Sequence, residues 1–256
     1  MQYFPRKKIY DIILIEGRLY MKKINFLELG KALLILMGYM LFIPDLVVFI
    51  FRFLNLDLSN RLIYVLAYVF IYLLTFILIG IFYGKSLKEE FKLYKNNFKK
   101  DFKIGLKNWC IALIFMVITN SLVLSLVGDM ATNESVNRSM ISEMPLFSVI
   151  SMALIGPFIE EMLFRKNFRK SFKSKQLFMI FTALLFGGAH MLSAFTIGDI
   201  TSNYFQILYI IPYSGIGYFF AKSYIETDTI FTSVTTHVLH NSLSVCLVLL
   251  SSFIGA

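Results

Sequence analysis

The sequence predicts an all-α fold, a polytopic bundle of about seven transmembrane helices with a cytoplasmic N-terminus. Three observations predict it. Apolar residues make up 57% of the chain and charged ones 16%, against roughly a half and a quarter in soluble domains. The apolar residues gather in runs of about 20, the length at which a helix crosses a bilayer. The basic residues gather in alternate loops between those runs, except that the loop between the sixth and seventh runs holds only Lys222, and the positive-inside rule reads the basic loops as cytoplasmic.

The elements follow in order. Residues 1–23 are studded with charge and lack an apolar core ahead of a cleavage site, so they do not read as a signal peptide. "IYDIILIEGRLYMKKI" reads instead as an interfacial amphipathic helix. Spans are expected at Ala32–Phe51, Leu62–Phe82, Trp109–Val127, Pro145–Phe164, Leu177–Phe195, Tyr204–Phe220 and Ile230–Ile254. Pro44 and Asp45 interrupt the first, with Asp45 suited to cap a helix. Pro157 and Pro212 predict kinks in the fourth and sixth.

Loop charge orients the spans. Eight lysines from Lys85 to Lys107 separate the second span from the third, and six basic residues from Arg165 to Lys175 separate the fourth from the fifth. The intervening segments 52–61, 128–144 and 196–203 are poor in Lys and Arg. This alternation places the N-terminus inside and, after seven spans, the C-terminus outside. The net charge of +9 is thereby explained by lipid headgroups and topology, and nucleic-acid binding is rejected. Cys110 and Cys246 both fall inside apolar runs, which argues against a disulfide framework or a thiolate metal site.

Ionisable residues inside spans mark functional sites. All three histidines, His190, His237 and His240, fall in expected spans, together with Glu160, Glu161 and Asn241. Glu161 and Arg165 are four apart and share a helix face, with the acid N-terminal as ion pairs prefer. Glu160 is turned about 100° away and has no local partner. The spacing thus makes Glu161–Arg165 a structural pair and Glu160 the chemical group. His237 and Asn241 share a face of the last span. Gly187 and Gly188 leave room for a neighbouring helix or a substrate backbone beside His190.

These groups suit hydrolysis in either of two ways. Glu160 could activate a water while His190, His237 and Asn241 steady the oxyanion. Alternatively Glu160, His190 and His237 could hold zinc, which activates the water. The residue types do not choose between the two. At about 1.5 Å per residue from the cytoplasmic span ends, Glu160 lies about 6 Å deep, His237 about 10 Å and His190 about 20 Å. A single site needs these depths to converge, by tilt or by a fifth helix that starts nearer Ile180.

In combination the motifs resemble a known family. "EEMLFR" fits E-E-x-x-x-R, "FGGAH" fits F-x-x-x-H and "HVLHN" fits H-x-x-x-N. In this order on successive apolar helices they resemble the CPBP intramembrane proteases, which include type II CaaX prenyl endopeptidases and bacterial bacteriocin-processing (Abi) proteins. The resemblance implies a catalytic core of four spans over residues 145–256, behind an N-terminal interfacial helix and three spans over 1–144. It implies an endopeptidase that cuts a membrane-associated peptide or protein in the lipid bilayer. Glu160 would activate water, His190, His237 and Asn241 would complete the site, and Glu161 and Arg165 would support it. His240 stands where the family often has asparagine.

The Lys-, Ile-, Phe- and Asn-rich composition suggests a low-GC bacterium and a multi-pass protein of its cell membrane. There the resemblance implies processing of bacteriocin or pheromone peptides, or self-immunity. Two other functions compete. One is a non-catalytic immunity or scaffold protein, and the other a small transporter relaying protons through Glu160 and His190. The absence of an internal repeat weighs against the transporter.

Overall fold

The computed structural model describes residues 23–197 and 204–254. The expected interfacial helix lies outside the described residues, except for its last two. Within them the fold is all-α. Its only β-like feature is an isolated antiparallel bridge between Ile24 and Phe172.

Helix α1 spans Phe26–Phe53 and α2 spans Arg61–Val127. A short α3, Thr132–Glu143, leads into α4, Pro145–Ser171. Then come α5 (Lys175–His190), α6 (Leu192–Ile197), α7 (Ile210–Thr227) and α8 (Ile230–Ile254). Among the described residues α1, α2, α4 and α8 are long and apolar enough to cross a membrane. Asparagines and a serine set three of the starts. Asn25, Asn60 and Ser174 each accept a hydrogen bond from a backbone N–H of the first turn. Gly128 ends α2 in the left-handed conformation that glycine adopts without strain.

Two sequence expectations change. The second and third expected spans belong to one uninterrupted helix, α2. Its lysine-rich middle has no proline and is rich in good helix formers. Hydropathy marked where the apolar stretch ends, not where the helix ends. The proline in the first span does not break it either. A π-helical turn, Gly38–Phe42, precedes Pro44 and absorbs it, so Asp45 sits inside the first turn of the next α-helical segment rather than capping it.

Side-chain contacts fix the directions of packing. Residues 24–32 of the chain meet the end of α4. Asn25 N–H donates to the Ser171 carbonyl at 2.7 Å, and the Asn167 amide donates to the Ala32 carbonyl at 2.7 Å. The first third of α2 runs parallel to α4, with Tyr68 against Phe147 and the Tyr83 hydroxyl on Asn167. The last third runs antiparallel to α7. Asn108 reaches Ser223 and Glu226, and just beyond the helix the Asp129 carbonyl accepts from Tyr209. The middle of α2 therefore lies at the end of the bundle that carries Lys166, Arg169 and Lys170, here called the basic end. There Glu90 accepts from Lys166 and from the Ile230 N–H at 2.8 Å, closing the first turn of α8.

Close packing of α5 on α7 is set by glycine. A Cβ on Gly187 would stand 2.1 Å from the Ser214 Oγ and 2.9 Å from the Ile210 carbonyl oxygen, whereas one on Gly188 would meet nothing within 4 Å. Of the two glycines read as making room, Gly187 admits the neighbouring helix and Gly188 faces open space.

Candidate active site

Helix α4 brings the acidic pair to the middle of the bundle between two π-helical turns, Ser151–Ile155 and Met162–Lys166. Glu161 and Arg165 are both 0% exposed, with Oε1 and Nη1 3.1 Å apart. Two buried charges persist only when each is also satisfied elsewhere. Arg165 donates to the Gly217 carbonyl at 3.0 Å and lies 4.4 Å over the Phe186 ring. Glu161 accepts from the Ser233 hydroxyl and from His237 Nδ1 at 2.8 Å. Glu161 is thus held by three side chains.

Its neighbour is placed quite differently. Glu160 keeps a side chain 29% exposed, and its Oε2 is buried without a hydrogen-bond partner. That oxygen stands 3.7 Å from His237 Nε2, too far for a direct hydrogen bond.

The histidines are oriented by what their Nδ1 atoms touch. A carboxylate and a carbonyl can only accept, so Glu161 and the Phe186 carbonyl (2.9 Å) each draw a proton onto Nδ1 of His237 and His190. In the neutral rings this leaves the lone pair on Nε2. Stacking fixes the planes. His237 lies on Phe220 at 4.3 Å and His190 on Tyr213 at 4.6 Å, both tilted by 24°.

Asn241 is anchored by a backbone defect. The Gly156 N–H bonds to the Ser151 carbonyl through the π turn, and Pro157 has no N–H to offer. The Met152 carbonyl is left without a helical donor, and the Asn241 amide donates to it at 2.9 Å. One amide hydrogen of Asn241 stays available.

His190, Tyr213, His237, His240 and Asn241 share one cleft of about 100 Å³. His240 is buried there with Nδ1 unpartnered. Glu160 stands behind His237 rather than in the cleft wall. Measured along their own helices the depths still differ, yet His190 and His237 line one cleft and Glu160 Oε2 stands 3.7 Å from His237 Nε2. Helix α5 starts at Lys175, earlier than expected, but α4 runs on to Ser171. Glu160 is therefore eleven residues from its end, about 16 Å along the axis.

Ser233, Tyr213 and Glu90 were not legible as parts of this arrangement. Ser233 carried a usable signal, since it lies four residues before His237 on the same helix face. Tyr213 and Glu90 act across helices and carried none.

Fold and site together define a helical membrane protein with a carboxylate–imidazole centre sunk in its interior. Residues 142–243, which include every residue of that centre named above, match the family model described as type II CAAX prenyl endopeptidase Rce1-like. That stretch is less than half of the chain, and the match supports a CAAX-type intramembrane protease at the level of the family. No curated protein and no solved structure matches the chain.

Proposed function

We propose that the protein is an intramembrane endopeptidase that hydrolyses a peptide bond in a membrane-associated peptide, with Glu160 as the group that takes the proton from water. The observation that carries this is the contrast between adjacent carboxylates. Glu161 is saturated by Arg165, His237 and Ser233, whereas Glu160 Oε2 is buried, unpaired and 3.7 Å from an imidazole Nε2. Burying a carboxylate oxygen without a partner is costly, and a water between Glu160 and His237 would satisfy both atoms.

In this reading the His237 and His190 Nε2 atoms accept hydrogen bonds and hold the water, because their Nδ1 protons are already committed. Stabilisation of the oxyanion then falls to the remaining Asn241 amide hydrogen. Among the described residues no three His, Cys, Asp or Glu side chains stand close enough to hold an ion. The donor chemistry nevertheless fits zinc. The unpaired Glu160 oxygen and two Nε2 lone pairs, each backed by an acceptor at Nδ1, match the usual outer-shell pattern. Glu160, His190 and His237 are the residues that would hold it, and the chemistry it supplies when bound is activation of water.

The test compares wild-type and Glu160→Gln protein in nanodiscs. Cleavage of a panel of bacteriocin leader, pheromone and CAAX-type peptides is read by mass spectrometry, with and without chelator. Cleavage lost in Glu160→Gln supports the reading, and loss on chelation would assign the water to a metal. Cleavage that survives the substitution refutes it. Protection of cells that survives Glu160→Gln would favour immunity by binding.

A further inference from the structure

We propose that the protein carries an anionic phospholipid between α1, α2 and α4, with its phosphate in a recess at the basic end and the start of one acyl chain in an adjoining apolar slot. Recess and slot share no lining residue with the cleft, and the proposal does not rest on the protease reading.

The recess holds about 200 Å³, and its wall carries four cations, Lys31, Lys166, Arg169 and Lys170, against one carboxylate, Glu28. Two of the cations are matched. Lys31 pairs with Glu28 at 2.9 Å, and Lys166 pairs with Glu90. Among the described residues Arg169 and Lys170 have no carboxylate partner. The Arg169 guanidinium makes one long hydrogen bond, 3.4 Å to the Phe172 carbonyl, and lies 5.7 Å from the centre of the Phe178 ring. Tyr224 of α7 lines the same recess at 4% exposure, and its hydroxyl has no hydrogen-bond partner among the described residues. Two uncompensated cations and a free hydroxyl suit a phosphate, whose oxygens accept from guanidinium, ammonium and O–H alike.

The slot holds about 120 Å³ and is walled mainly by apolar side chains, among them Ile35, Ile79, Met162 and Leu163. The hydroxyls of Thr75 and Tyr83 in its wall are already spent, on the Ile71 carbonyl and on Asn167, both at 2.7 Å. Gly38 borders the empty space, since a Cβ on it would meet nothing within 4 Å. Leu78 and Phe82, 41% and 57% exposed, leave the slot open at the side, where lipid surrounds the bundle. Ile35, Phe82 and Tyr83 wall both spaces, so recess and slot adjoin. Their order is the same on all three helices. Lys31 precedes Gly38 on α1, which starts at the basic end, and Ser86 follows Thr75 on α2 and Lys166 follows Met162 on α4, which approach that end. Charge therefore lies toward the basic end and apolar wall toward the middle of the bundle, the polarity of an amphiphile standing along it. Basic recesses between membrane helices hold anionic head groups. A zwitterionic head group brings an ammonium that Arg169 and Lys170 repel, so the occupant is a lipid of net negative charge.

Native mass spectrometry and melting curves of the full chain in neutral detergent test this without turnover. Dioleoylphosphatidylglycerol, dioleoylphosphatidylcholine and glycerol 3-phosphate are added separately. Phosphatidylglycerol should be retained by the protein and raise its melting temperature, and the other two at the same concentration should do neither. Arg169→Gln combined with Lys170→Gln should weaken retention about 30-fold. Gly38 has ordinary right-handed helical angles, so Gly38→Leu should melt no lower than the wild type without lipid. By filling the slot it should reduce phosphatidylglycerol to the weak binding of glycerol 3-phosphate. Equal retention of the two lipids, or retention unchanged in the charge variant or in Gly38→Leu, would overturn the proposal. A melting shift reproduced by glycerol 3-phosphate alone would make the recess a site for free phosphate esters and overturn the lipid.

Discussion

One imidazole separates two unlike carboxylates: His237 Nδ1 lies 2.8 Å from Glu161 Oε1, and its Nε2 lies 3.7 Å from Glu160 Oε2. The adjacent acids therefore answer to different forces. Glu161 belongs to a fully buried ion pair, and removing one partner strands the other charge. Arg165→Met should cost about 3–5 kcal/mol, read as a large drop in melting temperature in detergent. Arg165→Lys should not rescue it, because an ammonium cannot reach Glu161 and the Gly217 carbonyl together. Glu160→Gln should melt with the wild type, since no hydrogen bond to Glu160 Oε2 is lost. Equal destabilisation by both changes would contradict the division of roles.

The two glycines beside His190 should respond oppositely. Gly187→Ala forces a Cβ into backbone atoms of α7, which cannot retreat as a side chain could. A loss of about 1–3 kcal/mol is expected for such overpacking, with activity falling as His190 shifts. Gly188→Ala meets no neighbour and should be neutral or slightly stabilising, as for Gly to Ala within a helix. Melting curves of the two variants side by side decide the point.

Glu90 ties the middle of α2 to the α8 turn that leads to Ser233 and His237. Glu90→Gln leaves the mostly buried Lys166 ammonium without its counter-charge. A cost on the order of 3 kcal/mol is expected. A local readout separates this from general weakening. Amide exchange at Ile230 and the residues after it should quicken more than exchange in α5. Uniform quickening across the bundle would refute the link.

The legible part of this protein was whatever lies along a single helix. Apolar runs and the i, i+4 pairs Glu161–Arg165 and His237–Asn241 could be read because a helix fixes those neighbours in advance. Helix ends were harder. The lysines of α2 read as a loop, yet charged residues are good helix formers and hydropathy is blind to that. Contacts between helices were not legible. Nothing local to Ser233, Tyr213 or Glu90 says which side chain each will meet, because that depends on packing of distant segments. The role of Asn241 was half legible, since Pro157 announces a missing donor but not which residue supplies it.

That missing donor gives the last prediction. Asn241→Ala leaves the Met152 carbonyl without its side-chain donor, at a cost of about 1–3 kcal/mol, and removes the proposed oxyanion donor. Pro157→Ala restores an N–H five residues after Met152, in register for a π-helical bond. The double variant should therefore recover part of the stability lost in Asn241→Ala, a coupling of about 0.5–3 kcal/mol in a double-mutant cycle. Its activity should stay lost, because the carbonyl is satisfied but the amide is not replaced. Additive melting shifts would show that Asn241 does not serve the backbone gap. Recovered cleavage would show that the amide acts on α4 alone and never on substrate.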